Sequence, residues 1–344
     1  MAEHWQPKVG KIEPLVHPIA IDPQGIAGPT RGQAQGPFWR QSTHGLYVPS
    51  TTDSDRPEQR IAEQAVRLGP KGAVTGWAAL RMHGAAYFDG ASDAGFRPVN
   101  LVSPDRHLRS DDKATCHLGM LPASERVARH GIAVTMIERA LYDEMAGCDL
   151  RGAVVAMDMA ALAELTSMRR MRRHAETRRG AFPIVWPALN LATHHSRSPA
   201  ESRMLLIWEL DAGLPRPVCN RPIFSLEGEL LGVPDLLDVE LGIVGEYDGA
   251  DHQAKDRRFR DLGRETTFRK HGLEYFTVVA GDLHQIEATV ERMASVVERA
   301  RSTEHVRPRV WTLIPPPGWV PFASDEDLDV RLDFNDFLAS VRET

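Results

Sequence analysis

Hydrophobic residues recur with the spacing of an amphipathic helix in several stretches of the chain and alternate with polar residues in others. Within 57–69, Ile61, Ala65, Val66 and Leu68 lie at helical spacing, which predicts a helix. The other elements predicted in the first half are a strand pair within 38–50, short strands at 98–104 and 131–136, and helices at 74–84, 136–147, 150–165 and 167–179. The first half is therefore expected to be an α-rich α+β domain.

A second pattern begins near Ser198, after Pro183 and Pro187 interrupt helical continuation. Its predicted elements are a helix at 199–212, strands at 217–225, 230–238 and 242–248, a helix at 255–271, a strand at 274–280 and a helix at 283–302. This order predicts a second domain, of α/β class, after a boundary at about 185–197.

Composition divides the chain into four segments. Residues 1–37 are rich in Pro, Gly and Gln and predict an extended arm ahead of the first domain, 38–185. The second domain covers 196–302, and the Pro-broken, then acidic, tail 303–344 is expected to be a linker or peripheral cover.

Charge and cysteine content narrow the classes of function. The formal net charge of −6 argues against a uniformly basic nucleic-acid-coating protein, although a local basic patch can bind within an acidic whole. Three cysteines without paired spacing suggest neither a disulfide framework nor a cysteine-type zinc site. No stretch predicts an export signal or a membrane span, so a cytoplasmic protein without membrane contact is expected.

Carboxylates gather near the end of the strand predicted at 242–248. A tight turn at 240–241 places Asp235 directly opposite Glu246, where the two charges repel unless a cation such as Mg²⁺ or Mn²⁺ lies between them. Strand parity puts Asp248 on the same face as Glu246 and Tyr247 on the other, packed face. The alternative is a longer loop through Gly242, and a register slip would move Asp235 to the other face of the sheet.

Neighbouring residues extend this candidate site. Glu201, near the start of the preceding helix, is a candidate oxygen ligand, with a capping box between Ser198 and Glu201 as its structural alternative. In the first half of the chain, another capping box, of the form T-x-x-E, is predicted at Thr135 and Glu138 for the helix at 136–147.

Basic residues follow the acidic strand. Three arginines on one predicted helical face, next to His252 and Lys255, are candidates for orienting a water or holding phosphate oxygens: Arg257, Arg260 and Arg264. The structural alternative is a solvated face whose arginines pair with Asp261 and Glu265.

The other basic group is a cluster of six arginines, including Arg178 and Arg179, on the helix predicted at 167–179. Its candidate phosphate contacts, which would provide non-specific affinity for DNA, are Arg169, Arg170, Arg172 and Arg173. The alternative is an ordinary charged surface helix.

The second half resembles a known superfamily. The helix–strand–strand–strand–helix–strand order, "PD" at 234–235 and "E-x-D" at 246–248 resemble the PD-(D/E)XK nucleases. "SPAESRMLLIWELDAGLPRP", "GVPDLLD", "GEYDGADH" and "RDLGRE" look like the very-short-patch-repair-endonuclease-like family, domain of unknown function 559. The resemblance covers roughly 196–302 and implies a restriction-endonuclease-like αβββαβ core, a mixed sheet flanked by helices.

The resemblance also implies roles for the candidate residues. Asp235 and Glu246 would hold Mg²⁺ with help from Glu201, while Asp248 and His252 would flank the attacking water. Asp248 occupies the position where the superfamily usually has lysine, and His252 or Lys255 is the candidate substitute.

"HGLYVPS", "AVTGWAALRMHGA" and "GIAVTMIERALYDEMAG" in the first half are similar to AbiEi-type antitoxin and transcriptional-regulator domains. The first hypothesis is a Mg²⁺-dependent endodeoxyribonuclease in DNA repair or defence. The rival is a DNA-binding regulator or antitoxin-like protein whose nuclease-like half is inactive. A homodimer and a partner protein of a toxin–antitoxin pair stay open.

Overall fold

The structure is a computed structural model that describes residues 6–178, 182–249, 263–303, 308–320 and 325–342. The chain divides into two compact units: the first is Met1–Ala156 with Ala163–Trp186, and the second is Met157–Leu162 with Pro187–Thr344. Within the described ranges, no helix has both the length and the apolar content needed to cross a membrane. The chain is of mixed α/β class, as predicted.

The first unit is built on a five-stranded mixed sheet of order β8-β7-β4-β10-β9. The strands of this unit are Ile19–Ala20 (β1), Trp39–Thr43 (β2), Leu46–Pro49 (β3), Ala73–Val74 (β4), Ala91–Ser92 (β5), Gly95–Phe96 (β6), Val99–Ser103 (β7), Ala114–Leu118 (β8), Arg126–Arg129 (β9) and Ile132–Thr135 (β10). Its helices are Arg31–Ala34 (α1), Pro57–Ala65 (α2), Gly76–Met82 (α3), Ile137–Ala146 (α4) and Met168–Glu176 (α6). Helices Leu150–Leu162 (α5) and Val185–Leu191 (α7) contribute residues to both units.

The core of the first unit lies where α3 and α4 pack together beside the sheet. Trp77 and Leu80 of α3 and Leu141 and Met145 of α4 are fully buried. The strand pair β2–β3 and strands β7 and β10 were predicted. Strands β8 and β9 were missed because they are short sheet edges with polar, exposed positions and lack the clear alternation of a half-buried strand.

The capping box predicted at Thr135 and Glu138 is wrong. Helix α4 has Met136 at its N-cap, without a side-chain cap bond. Thr135 ends strand β10 and donates instead to the Thr75 hydroxyl at 3.1 Å, and Glu138 accepts from the Thr166 hydroxyl at 2.9 Å. The hydroxyl of Thr135 therefore takes part in a buried hydrogen bond with Thr75 and does not cap the helix.

The described part of the N-terminal arm is not a free extension. Strand β1 pairs antiparallel with β3, and the Val9 N–H donates to the Gly84 carbonyl at 2.7 Å. Further along, the Gln59 side chain exchanges two hydrogen bonds with the backbone of Val16. The arm therefore belongs to the first unit, because its backbone groups find partners there that a solvated segment would lack.

The second unit contains two three-stranded sheets, β13-β14-β15 and β12-β11-β16. Its strands are Ile223–Ser225 (β11), Leu230–Gly232 (β12), Leu236–Asp238 (β13), Ile243–Asp248 (β14), Glu274–Val279 (β15) and Trp311–Thr312 (β16). Its helices are Pro199–Leu206 (α8), continued as a π-helix over Ile207–Asp211, residues 263–270 (α9), Ile286–Thr303 (α10) and Asp325–Arg342 (α11).

The strand predicted at 230–238 is two strands. Strand β12 pairs with β11, whereas β13 pairs with β14, and Pro234 lies between them. Proline lacks the N–H needed to continue a ladder, so the chain changes sheets at this residue. The strand predicted at 217–225 is likewise shortened to β11, with a single bridge between Val218 and Leu237 before it.

Both faces of the sheet β13-β14-β15 are packed. On one face, Ile243 and Phe276 join Trp208 and Met293 in an apolar cluster. The opposite face carries a second cluster, which includes Leu237, Val244, Tyr275 and Phe268 of α9. The expectation that the acidic face is separate from a packed face is therefore wrong, because the acids share their face with this second cluster.

The described tail is structured rather than a simple linker. Strand β16 pairs with β11, and its Trp311 is buried in the second apolar cluster. The acidic segment forms α11, with Leu328 and Leu332 buried. Leu328 and Leu332, four residues apart, are the helical signal in this acidic segment.

Candidate functional site: a carboxylate cluster beside the central hairpin

The hairpin register follows the prediction from the sequence. Strand β13 runs antiparallel to β14 with Leu236 opposite Gly245, and the turn spans 239–242 with Gly242 in the left-handed region at φ +64°. One step further along this register, Asp235 faces Glu246. The turn is two residues longer than predicted, yet the pairing is unchanged because one residue is added on each side.

Asp235 is held at the start of β13. Its Oδ2 accepts a hydrogen bond from the Tyr247 N–H at 2.7 Å. Burial, followed by the negative charges of Glu201 and Glu246, raises the pKa of Asp235 to about 7, against the lowering effects of the Tyr247 N–H and Arg264. Three carboxylates from separate elements thus interact electrostatically in one place.

Glu246 is 8% exposed and lies in the middle of β14. Its Oε2 accepts from the Tyr275 hydroxyl at 2.8 Å, and Nη2 of Arg264 lies 2.5 Å from its Oε1. The same nitrogen of Arg264 donates to the Val233 carbonyl at 3.1 Å. Burial and the Glu246 charge raise the pKa of the Tyr275 hydroxyl, which keeps it protonated as a donor.

Glu201 joins the cluster from the first turn of α8. Ser198 is the N-cap and accepts from the Glu201 N–H at 3.2 Å, as predicted. The Glu201 carboxylate reaches the Arg197 N–H at 2.8 Å rather than the amide of the N-cap residue, which corrects the expected capping box. Its Oε2 also accepts from the side chain of Asn220 at 2.7 Å.

Asn220 is the residue that sequence reasoning missed. Its Nδ2 donates to Glu201 Oε2 and to the His195 carbonyl at 2.9 Å, and its backbone N–H donates to the Asp235 carbonyl at 3.3 Å. Its φ of +49° is in the left-handed region, where asparagine is among the few residues enriched. Asn220 therefore connects Glu201 and Asp235, which are 34 positions apart. The only signal in the sequence is an asparagine, a residue type enriched in the left-handed region, in "VCNRP".

The remaining predicted residues of this site separate into two groups. Asp248 ends β14 on the face of Glu246 and is exposed, while Tyr247 points to the opposite face and packs against Trp208 and its neighbours, as strand parity predicted. Four other candidates lie outside the described residues: His252, Lys255, Arg257 and Arg260.

The cluster meets part of the requirement for a hard cation. Asp235, Glu246 and Glu201 supply carboxylate oxygens, and each has one oxygen oriented by a hydrogen-bond donor, which is how ligands of metal ions are commonly fixed. The positive charge expected between Asp235 and Glu246 is supplied in this structure by Arg264. Among the described residues, no group of three or more His, Cys, Asp or Glu side chains is gathered as tightly as a metal ion requires.

Asp158, an acid of the second unit outside the carboxylate cluster, is completely buried. Asp158 of α5 accepts from the Thr193 N–H at 2.7 Å and from the Ser202 hydroxyl at 2.6 Å. Burial raises the pKa of Asp158 to about 8. Since Ser202 follows Glu201 on α8, this acid anchors the helix that carries Glu201, and no sequence pattern distinguished it from an exposed aspartate.

The basic helix belongs to the first unit. Helix α6 buries Met171 and Ala175, and its remaining surface is strongly basic. Three of the predicted phosphate contacts are exposed, namely Arg169, Arg172 and Arg173. The fourth, Arg170, is half-buried. The carboxylate cluster lies in the second unit, so the two candidate surfaces are features of different units.

The fold and the cluster together define the second unit as a mixed α/β domain with three interacting acids beside a β-hairpin. Comparison of the chain with protein-family models, with curated proteins and with solved structures gave no match. The assignment to an endonuclease-like family, the AbiEi-like character of the first unit and the four-segment domain division stay predictions.

Proposed function

We propose that the protein is a metal-dependent endonuclease that hydrolyses phosphodiester bonds in DNA, in repair or in defence against foreign DNA. The observation that carries this proposal is the convergence of Asp235, Glu246 and Glu201 from three different elements. Burial, followed by the negative charges of Glu201 and Glu246, raises the pKa of Asp235, and costly arrangements of buried like charge are concentrated at functional sites. The resemblance to PD-(D/E)XK nucleases supports the same assignment.

In this proposal Asp235 and Glu246 are the principal ligands of Mg²⁺ or Mn²⁺, and Glu201 is the third. The bound cation would lower the pKa of a coordinated water and stabilise negative charge on the phosphoryl oxygens. Tyr275 and Asn220 orient the carboxylates through the hydrogen bonds described above. Because Asp235 must be ionised to bind a cation, activity is expected to rise as the pH increases through about 7.

Arg264 has a second role in this proposal. Its contact with Glu246 neutralises part of the excess negative charge before a metal ion arrives. Its side chain is 40% exposed, so the guanidinium has room to turn towards a phosphate oxygen when a cation replaces it beside Glu246.

The Arg264 contact also favours the second candidate function. If the guanidinium permanently provides the positive charge that the acids require, the second unit is an inactive nuclease-like module. The protein is then a DNA-binding regulator or antitoxin-like protein. Asp248, in the position where the superfamily usually has lysine, supports this alternative.

The deciding experiment is cleavage of supercoiled, linear and mismatched DNA with Mg²⁺ or Mn²⁺. Cutting by the parent chain that is lost in both Asp235→Asn and Glu246→Gln, but retained in Glu298→Ala, supports the nuclease. Glu298 is a matched control because it is an exposed acid on α10 of the same unit. DNA binding without cutting by any of these proteins would support the regulator instead.

DNA binding itself is tested on the basic helix. Fluorescence anisotropy with duplex DNA should show that Arg172→Ala with Arg173→Ala weakens binding and lowers the salt slope by about two counterions. Arg31→Ala with Arg301→Ala is the control, since both of these arginines are exposed and neither is part of α6. Equal affinity and slope for both double variants would remove α6 from the DNA-binding surface.

A further inference from the structure

The first unit contains a cleft of about 370 Å³ that has no part in the carboxylate cluster. One side is formed by strands β7 and β8, and the other by the last turns of α4. Its volume is in the range of sites that bind small molecules. The cleft is lined by a fixed carboxylate, an amide, apolar side chains and the polar residues Arg139 and His117.

The carboxylate is that of Asp143, and it is oriented before any ligand binds. Its two oxygens accept from Nε of Arg139, both at 2.9 Å, and its Oδ2 also accepts from the Thr75 hydroxyl at 2.6 Å. Thr75 is in turn fixed by the hydroxyl of Thr135. The Asp143 side chain remains 18% exposed, so its remaining lone pairs face the cleft as a preorganised acceptor.

The amide is that of Asn100, the second residue of β7. Its carbonyl accepts from the Thr75 N–H at 2.8 Å, and the residue is in register with Thr115 of β8. Its side chain makes no hydrogen bond to any residue that the structure describes, although it is half-buried. Gly76, at φ +58°, leaves it space, because a Cβ at that position would lie 2.7 Å from Nδ2 of Asn100.

Apolar side chains complete the lining. Val102 lies beside Asn100 on the strand, and Leu118 and Phe182 flank the cleft with 66% and 44% exposure. The Phe182 ring lies 5.6 Å from that of Tyr142, which lies 5.7 Å from the imidazole of His174 on α6. An exposed aromatic side of the cleft is thus continuous with the helix that carries the arginines.

These side chains indicate the chemical class of the ligand. An asparagine amide presents a donor and an acceptor side by side, which matches the edge of a nucleobase, and a carboxylate accepts from an exocyclic amino group. Flat apolar and aromatic walls suit the faces of a planar heterocycle, and pockets that take an unstacked base combine the same two kinds of contact. The neighbouring arginines would place a phosphate-bearing chain close to the cleft.

We propose that this cleft binds a nucleobase that carries an amino group, with Asn100 pairing to its hydrogen-bonding edge, Asp143 accepting from the amino group and Phe182 stacking on the ring. The base comes either from a free nucleoside or from an unpaired nucleotide of a strand. The proposal is independent of whether the second unit cleaves DNA.

The test is isothermal titration in EDTA, which prevents any metal-dependent cleavage. Adenosine and cytidine are the free ligands, inosine and uridine are their analogues without the amino group, and short single strands and duplexes of matched sequence provide the second source. Adenosine or cytidine should bind at least tenfold more tightly than its analogue. Binding of single strands alone would assign the site to the unpaired nucleotide and also supports the proposal.

Variants separate recognition from folding. Asn100→Ala and Phe182→Ala are each expected to weaken binding about tenfold with unchanged melting temperature, because the first side chain has no described partner and the second is exposed. Asp143→Asn tests the carboxylate, with its melting temperature as the check on folding. Glu298→Ala is the unaffected control. Equal binding of nucleosides with and without the amino group, unchanged binding in both Asn100→Ala and Phe182→Ala, or no binding of any ligand would overturn the proposal.

Discussion

Two buried acids of the first unit, Glu63 and Glu144, differ in their partners from the carboxylate cluster of the second unit. In the first unit, Glu63 pairs with Arg40 at 2.5 Å and Glu144 with Arg97 at 2.7 Å. Hydrogen bonds from Arg40, Ser42 and Gln59 outweigh burial and lower the pKa of Glu63. Each of these acids is neutralised by its own arginine, which is the arrangement expected of structural ion pairs.

In the carboxylate cluster of the second unit, Asp235, Glu201 and Glu246 are grouped together. The guanidinium of Arg264 contacts Glu246, yet the pKa of Asp235 is raised rather than lowered. Burial of an acid by itself therefore does not distinguish a structural role from a functional one. The sign of the pKa shift separates an acid that stabilises the fold from one that is held at a cost.

The largest effect is expected from removing a structural acid of the first unit. Glu144 accepts from the Trp77 N–H at 2.9 Å and pairs with Arg97, and its side chain is 3% exposed. Glu144→Ala leaves both donors without their partner and should lower the free energy of unfolding by about 3 kcal/mol. Urea denaturation measures this loss. A change below about 1 kcal/mol, similar to that of Glu298→Ala, would contradict the structural role.

The next effect concerns pH. The pKa of Asp158 is raised to about 8 from the usual 3.8, so the folded protein keeps a proton that the unfolded chain releases at lower pH. The contribution of this group to stability is therefore lost as the pH rises from about 4 to 8. Asp158→Asn should flatten the fall in melting temperature over that interval.

The half-buried His83 of the first unit provides the contrast to Asp158. Burial lowers the pKa of His83 to about 4, so its effect has the opposite sign, and stability increases with pH between 4 and 6.5. His83→Gln is the matched variant.

The prediction for Asp158 has its own contradicting outcome. A parallel pH profile of the parent and Asp158→Asn would show that Asp158 is ionised in both the folded and the unfolded state.

Metal binding should produce a smaller stabilisation, restricted to the second unit. At ten times the dissociation constant, Mg²⁺ or Mn²⁺ would stabilise the fold by about 1.4 kcal/mol, with proton release near neutral pH. Differential scanning fluorimetry at pH 7.5 should show the shift in the parent and in Glu63→Gln, but not in Asp235→Asn. A shift of equal size in all three proteins would mean that the metal binds elsewhere.

The smallest effect is expected from neutralising Asp235. Asn at this position keeps the acceptor for the Tyr247 N–H and removes the repulsion from Glu201 and Glu246, so Asp235→Asn should raise stability by about 1 kcal/mol at pH 8. Glu63→Gln, the matched substitution in the first unit, should lower it. Destabilisation of both variants, measured by urea denaturation, would erase the difference between the two units.

Much of the second unit was predictable from its sequence because its signals are local. A short turn between two apolar strands sets the register, and the register places Asp235 opposite Glu246. The Ser-Pro-x-Glu start of α8 was equally readable from the sequence, apart from the amide that Glu201 selects. The five-stranded sheet of the first unit was harder to predict from the sequence, because its edge strands are short and polar.

The sequence by itself determined the mixed α/β class, the hairpin register and the face on which each acid of β14 lies, since these follow from side-chain periodicity and turn length. Tertiary structure decided which partners those acids meet. The Asn220 bridge, the Arg264 contact, the burial of Asp158 and the cleft at Asn100 each join residues that are far apart in the chain. Such contacts depend on how elements pack, and desolvation, which sets the pKa values, exists only after they have packed.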